Sequence, residues 1–149
     1  MNLNKNEIAK KIKQKTENLG YLFIEMDFRG DSRNHILEIF FDNEAGITTD
    51  DCANLSREIS DMIEEENLIE SRYRLDVSSP GIDRPLKYIQ QYKRNIGRRF
   101  EILHQDEDTP NIEGQLLEII GDDLKFSIKN EVKEVNIKNI KSAKVLVRL

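Results

Sequence analysis

Only one cysteine, Cys52, occurs in 149 residues, so no intramolecular disulfide can form and stability has to come from packing. Tryptophan is absent and aromatic residues make up 7% of the chain, which leaves few rings for stacking on unpaired bases. The two histidines, His35 and His104, lie far apart, and Cys52 has no partner at ligand spacing, so neither a metal centre nor a general base is indicated. No apolar run approaches membrane-spanning length. Lysines at positions 5, 10, 11, 13 and 15 break up the region where a signal peptide would carry its apolar core, and a cytoplasmic location with no membrane attachment is the expectation. The patterns Gly-x-x-x-x-Gly-Lys-Ser/Thr and Gly-x-Gly-x-x-Gly are missing, and with them the usual devices for cradling a nucleotide. Ser78 and Ser79 lack a Gly-x-Ser-x-Gly elbow and are not read as nucleophiles. No catalytic residue, metal or other cofactor is expected.

Charge, by contrast, is plentiful: 34% of residues are charged against 38% hydrophobic, which favours small modules over one large core. The first 84 residues carry 11 basic and 18 acidic side chains, and the remainder carry 12 and 10. An acidic first part is a poor general binder of nucleic acid, while the second part can approach phosphate if its cations share a face. With a net charge of −5, nonspecific polyanion binding is not expected to dominate.

The most informative segment is Ser78-Ser79-Pro80-Gly81-Ile82-Asp83-Arg84-Pro85-Leu86-Lys87. Two prolines fix φ and remove donors, and Gly81 between them supplies a positive φ, so the segment is predicted to be a stiff, shaped loop. From Arg84 to Arg99 six basic residues (Arg84, Lys87, Lys93, Arg94, Arg98, Arg99) occur without an acidic one. A rigid joint with local positive charge suggests binding and not catalysis, although a linker with solvated cations fits the same residues.

Upstream of the joint the periodicity reads α-β-β-α-β. Asn4 and Glu7 resemble a capping box ahead of Ile8, Ile12 and Leu19, with Gly20 as the stop. Leu22, Ile24, Met26 and Phe28 alternate with Phe23, Glu25, Asp27 and Arg29, and a second strand over His35 to Asp42 completes a hairpin. Thr48 is the expected N-cap of a second helix whose stripe is Cys52, Leu55, Ile59, Met62 and Ile63. Its terminal Glu64, Glu65 and Glu66 oppose the helix dipole and predict a frayed last turn. Tyr73 to Val77 adds the third strand, giving two helices on three strands.

Downstream, a short helical turn over Tyr88 to Ile96 is followed by five short strands: Arg98 to His104, Ile112 to Ile120, Leu124 to Lys129, Val132 to Ile137 and Lys141 to Arg148. Gly114 is placed to bend the second of them, and the set reads as a small barrel. Leu124, Phe126 and Ile128 point inward, putting Lys125 and Lys129 outward in a cationic stripe that Glu131 and Glu134 interrupt. RNA contact and plain solvation account equally for those lysines. Asp50 with Asp51, and Asp122 with Asp123, fit a helix N-terminus and a hairpin turn better than acid/base or magnesium pairs.

Two stretches together resemble the ribosome maturation factor RimP family: Gly46 to Ser60, similar to that family's turn and second helix, and Tyr73 to Leu86, which matches its most recognisable motif almost residue for residue. Ile82, where the family more often has leucine, is a conservative departure. The resemblance implies an α+β protein with an α-β-β-α-β two-layer domain over 1–84 and a small all-β Sm-like or SH3-like barrel over 85–149. It implies a monomeric, non-catalytic assembly factor that binds the small (30S) ribosomal subunit, through both ribosomal RNA and a ribosomal protein. Ser79, Pro80, Gly81, Asp83, Arg84, Pro85, Lys87, Arg98 and Arg99 are the expected contact residues, with Asp83 also placed to pair with Arg84 and hold the loop. A regulator acting on messenger or small RNA is the alternative.

Overall fold

The computed structural model describes residues 4–81 and 84–147. The chain divides into two compact units, Met1–Pro80 and Gly81–Leu149. The first holds α1 (Lys5–Asn18), β1 (Leu22–Gly30), β2 (Asn34–Asp42), α2 (Thr49–Glu65) and β3 (Arg72–Ser78). The second holds α3 (Ile89–Arg94), β4 (Arg99–His104), β5 (Ile112–Ile120), β6 (Asp123–Ile128), β7 (Glu131–Asn136) and β8 (Ile140–Val145). The α+β class and the α-β-β-α-β order of the first unit are as the sequence predicts.

In the first unit β2 is central, antiparallel to β1 and parallel to β3. A parallel pair cannot be joined by a tight turn, and α2 makes the crossover. Asn4 caps α1 by accepting the Glu7 N–H at 3.1 Å. Thr48 and Asp51 form a reciprocal capping box at the start of α2. Ile8 and Ile12 of α1, and Leu55, Ile59 and Ile63 of α2, recur four residues apart and are buried against Phe23, Leu37, Ile39 and Phe41 of the sheet. Such full burial of an aliphatic side chain contributes roughly 1.5–3 kcal/mol. Thr16, a polar residue on the buried face of α1, donates its hydroxyl to the Ile12 carbonyl at 2.7 Å and so carries no unsatisfied donor inside.

Two expectations need correction. Simple alternation put Phe23 on the polar face of β1, but the ladder slips between Phe23 and Glu25, making Ile24 an extra residue; Phe23 then joins Met26 and Phe28 on the core side. The acidic end of α2 does not fray, since the helix continues through Glu65. Lys11 of α1 pairs with Glu66, so a cation on the neighbouring helix offsets the unfavourable charge at this end, and Lys15 approaches Glu58 at 3.4 Å further back along α2.

Two carboxylates of this unit serve as backbone acceptors. Asp31 takes the N–H groups of Asn34 and Arg33, both at 2.9 Å, and these bonds hold its pKa below the usual carboxylate value. Asp51 is lowered chiefly by the Thr48 N–H and next by the Tyr21 hydroxyl, each at 2.8 Å. A depressed folded pKa stabilises the fold above the unfolded value, roughly pH 4, and that stability disappears as pH falls through the folded value. Urea midpoints of the first unit are therefore expected to fall as the pH drops below about 4. Asp31→Asn with Asp51→Asn should lower the midpoint at neutral pH and flatten this acid limb; an acid limb as steep as that of the parent chain would contradict the assignment.

The second unit is one antiparallel sheet in the order β7-β6-β5-β4-β8. Its core gathers Tyr92 of α3 with Phe100, Ile102, Leu116, Leu124, Phe126, Val135 and Ala143 from all five strands. Gly114 lies where another backbone comes close, for a Cβ there would sit 2.7 Å from Ile128 Cγ1 and 2.8 Å from the Ser127 carbonyl oxygen. The turn between β6 and β7 places Lys129 and Asn130 at φ 50 and 69, the paired positive values of a tight hairpin. The expected barrel is not closed by its ladders, because β7 and β8 are the two edges of the sheet. A 3-10 turn over Ile137–Asn139 carries the chain from β7 to the far side of β4, where β8 pairs. Charged Glu131, Lys133 and Glu134 on β7 suit an open edge. The lysine stripe is also weaker than periodicity suggests: Lys129 lies in the turn, and Lys125 faces Glu134 and approaches Glu118 at 3.9 Å.

Candidate functional site

Beyond the end of β3 the chain runs through exposed Ser79 and half-buried Pro80 to exposed Gly81, whose φ is +72. Among the described residues, chain neighbours aside, no atom lies within 4 Å of where a Cβ would stand on Gly81, and its positive φ is a backbone requirement. Ile82 and Asp83 lie outside the described residues, and with them the expected Asp83–Arg84 pair. Arg84 is half-buried, while Pro85 and Lys87 are exposed.

From Leu86 onward the segment is moored to the second unit. The Leu86 N–H donates to the Ala143 carbonyl of β8 at 2.9 Å, and its side chain packs against the core. Buried Gln91 accepts the N–H groups of Lys87 and Tyr88 through Oε1 at 2.7 and 2.9 Å, holding the entry to α3. Buried Asn95 closes the other end by donating its amide to the Gln91 carbonyl at 2.7 Å. Lys93 and Arg94 occupy the last turn of α3, favourable for cations, and the Lys87 ammonium lies 5.5 Å from the centre of the Tyr88 ring. Burial pushes the Tyr92 phenol far up, keeping it neutral inside the core.

Gly97, at φ +95, turns the chain into β4. Its N–H donates to the Leu116 carbonyl at 2.7 Å, and the Gln115 side-chain amide donates to its carbonyl at 2.9 Å. The Leu116 N–H reaches the Arg98 carbonyl at 2.9 Å and the Leu146 N–H the Arg99 carbonyl at 2.8 Å, so two adjacent arginines are held by their backbones between β5 and β8. They line an open hollow of about 590 Å³ together with Gln115, Val145, Leu146 and Val147. Of the expected contact residues this hollow gathers Arg98 and Arg99 alone. Lys87 and Arg84 belong to the same unit without lining it, and Ser79 and Pro80 belong to the first unit.

Of the two acidic pairs weighed for other chemistry, one member each has a structural partner. Asp51 is in a cap, and Asp123 accepts the Asn136 side-chain amide at 2.9 Å. Cys52 is partly buried beside the first core, and burial pushes its thiol up, away from the thiolate that reactivity requires. Among the described residues no three His, Cys, Asp or Glu side chains are grouped to hold a metal. No helix among them is long and apolar enough to cross a membrane.

Residues 11–83, from within α1 through β3 into the junction, match the family model of the RimP N-terminal domain. The chain belongs to the RimP family. RimP proteins are ribosome maturation factors, and a role tied to the ribosome follows for this member. In this RimP chain the match takes in the turn, α2 and β3 that carry the resemblance, and it reaches Asp83 at the edge of the basic segment. Gln91, Asn95 and Gln115 are not flagged by the sequence. Each is an amide without a periodic signature, and only the N–H and C=O groups it meets give it a role.

Proposed function

We propose that this RimP protein is a non-catalytic factor that binds the maturing small (30S) ribosomal subunit in the cytoplasm, as a monomer and without metal, nucleotide or other cofactor, and then leaves. Ribosomal RNA and a ribosomal protein are the partners. Ser79, Pro80, Gly81, Asp83, Arg84, Pro85, Lys87, Arg98 and Arg99 are the residues proposed to contact the subunit, with domains over 1–84 and 85–149. The observation that carries this reading is a family match that runs up to Asp83, with the cations downstream of it on an anchored segment. Gradient sedimentation of a lysate should place the protein with small-subunit particles. Deleting the gene should cause those particles to accumulate with unprocessed precursor RNA. Migration away from them would favour a regulator of messenger or small RNA.

Two further outcomes follow. Gly81→Val forces a β-branched residue into left-handed backbone, a strain of roughly 1–2 kcal/mol that nothing nearby relieves. Binding to small subunits should weaken while the thermal transitions of both units stay close to those of the parent chain; unchanged binding would make the junction a mere spacer. Protein stripped with a chelator and freed of nucleotide should rejoin immature small subunits at undiminished affinity, with magnesium held constant for the RNA. Stoichiometric metal on the isolated protein, or turnover of an RNA or nucleotide, would overturn the non-catalytic reading.

A further inference from the structure

The hollow at the start of β4 has two walls of different chemistry. One is cationic, with exposed Arg98 and half-buried Arg99, and the other is apolar, formed by Val145, Leu146 and Val147 at the end of β8. Val147 is 56% exposed and belongs to neither core, and it lines the hollow with Val145 and Leu146 as neighbours. None of the described residues lining the hollow is acidic. Glu101 and Glu113 oppose each other further along the β4–β5 ladder, which confines the anion-attracting part to the Arg99–Gln115 end.

Its volume of about 590 Å³ lies in the range of small-molecule sites, larger than a lone phosphate or carboxylate needs. The segment that leads into the hollow carries two further cations, Lys93 and Arg94 in the last turn of α3, and such a run suits a chain of anions better than a single one. Guanidinium groups can take phosphate oxygens on their edges while an apolar wall beside them covers the face of a planar base.

We propose that this hollow seats one nucleotide of a single-stranded RNA segment, with Arg98 and Arg99 on the flanking phosphates and the base against Val145 and Val147. This rests on the RNA part of the reading above and names the contact that would be made.

Full-length protein titrated with a fluorescent ten-nucleotide oligoadenylate, and with an abasic sugar-phosphate oligomer of equal length, tests it. The oligoadenylate should bind more tightly than the abasic oligomer. Val147→Ser, a neutral change at a position outside the core, should weaken oligoadenylate binding about tenfold and shift abasic binding much less. Arg98→Gln with Arg99→Gln should weaken both. Equal affinity for the two oligomers, an inert Val147→Ser, or displacement of the RNA by polyglutamate as readily as by unlabelled oligoadenylate would overturn the proposal. A chain that fails to bind oligoadenylate yet sediments with small subunits loses the nucleotide seat and keeps its ribosomal role. One that binds oligoadenylate but leaves small-subunit particles keeps the seat and loses that role.

Discussion

Gly30→Ala should destabilise the first unit by about 3 kcal/mol, a large part of the roughly 5–15 kcal/mol typical of a folded domain. Gly30 ends β1 at φ +87, and a Cβ there would lie 2.1 Å from the Asn34 carbonyl oxygen. That oxygen cannot move aside cheaply, because it accepts the Asp31 N–H at 3.1 Å while the Asn34 N–H is held by Asp31 Oδ1. Left-handed backbone alone costs an alanine roughly 1–2 kcal/mol, and the overlap adds a further packing penalty of similar size. Gly20 supplies the control: its φ is +90, but nothing lies within 4 Å of its Cβ position. Gly20→Ala should show the conformational cost by itself. Urea unfolding that ranks the two variants equal would remove the steric part of the explanation, and the transition of the second unit should be unaffected in both.

Neutralising Lys87, Arg98 and Arg99 together, each to glutamine, should cut affinity for small-subunit particles by roughly tenfold to a hundredfold at low salt. All three sit on backbone fixed by bonds to Gln91, β5 and β8, so the charges are presented with little ordering cost on binding. Every phosphate deprived of its cation should also make the salt dependence shallower, by roughly 0.7 in the slope of log K against log salt for single-stranded RNA. Arg84 is left intact because of its half-buried position. Parent-like affinity of the triple variant across salt concentrations would dismiss the electrostatic account. Weaker binding with an unaltered slope would assign these residues a packing role instead.

The readable parts of the chain are those in which neighbouring signals agree. In α2 the cap, the acidic first turn and the four-residue stripe all indicate one helix, and Leu55, Ile59 and Ile63 are its buried line. The strands after residue 97 are readable from alternation, which reports which face a residue takes but not which strand lies beside it. That is why the five strands are legible and the open edges at β7 and β8 are not. Phe23 and Ile24 are both apolar, so nothing in the sequence says which of them is the extra residue; the partner strand decides it. For the candidate site, Pro80, Gly81 and the cations are plain in the sequence. The hollow is not, since Val145, Leu146 and Val147 come within reach of Arg98 and Arg99 only when β8 pairs with β4.

The parallel pairing of β2 with β3 also orders events during synthesis. The β1–β2 hairpin can close once Asp42 has emerged, but the second edge of β2 stays unpaired until Arg72 to Ser78 arrive, some thirty residues later. Through that interval Leu37, Ile39 and Phe41 have β1 and α1 beside them, joined by α2 only after Glu65 has emerged, and the open edge is a template for a wrong strand. The long loop that must close before β3 pairs makes this step intrinsically slow. A nascent chain stalled before residue 72 should consequently be caught by chaperones that bind exposed apolar segments, and release should come only after Ser78 has left the ribosome.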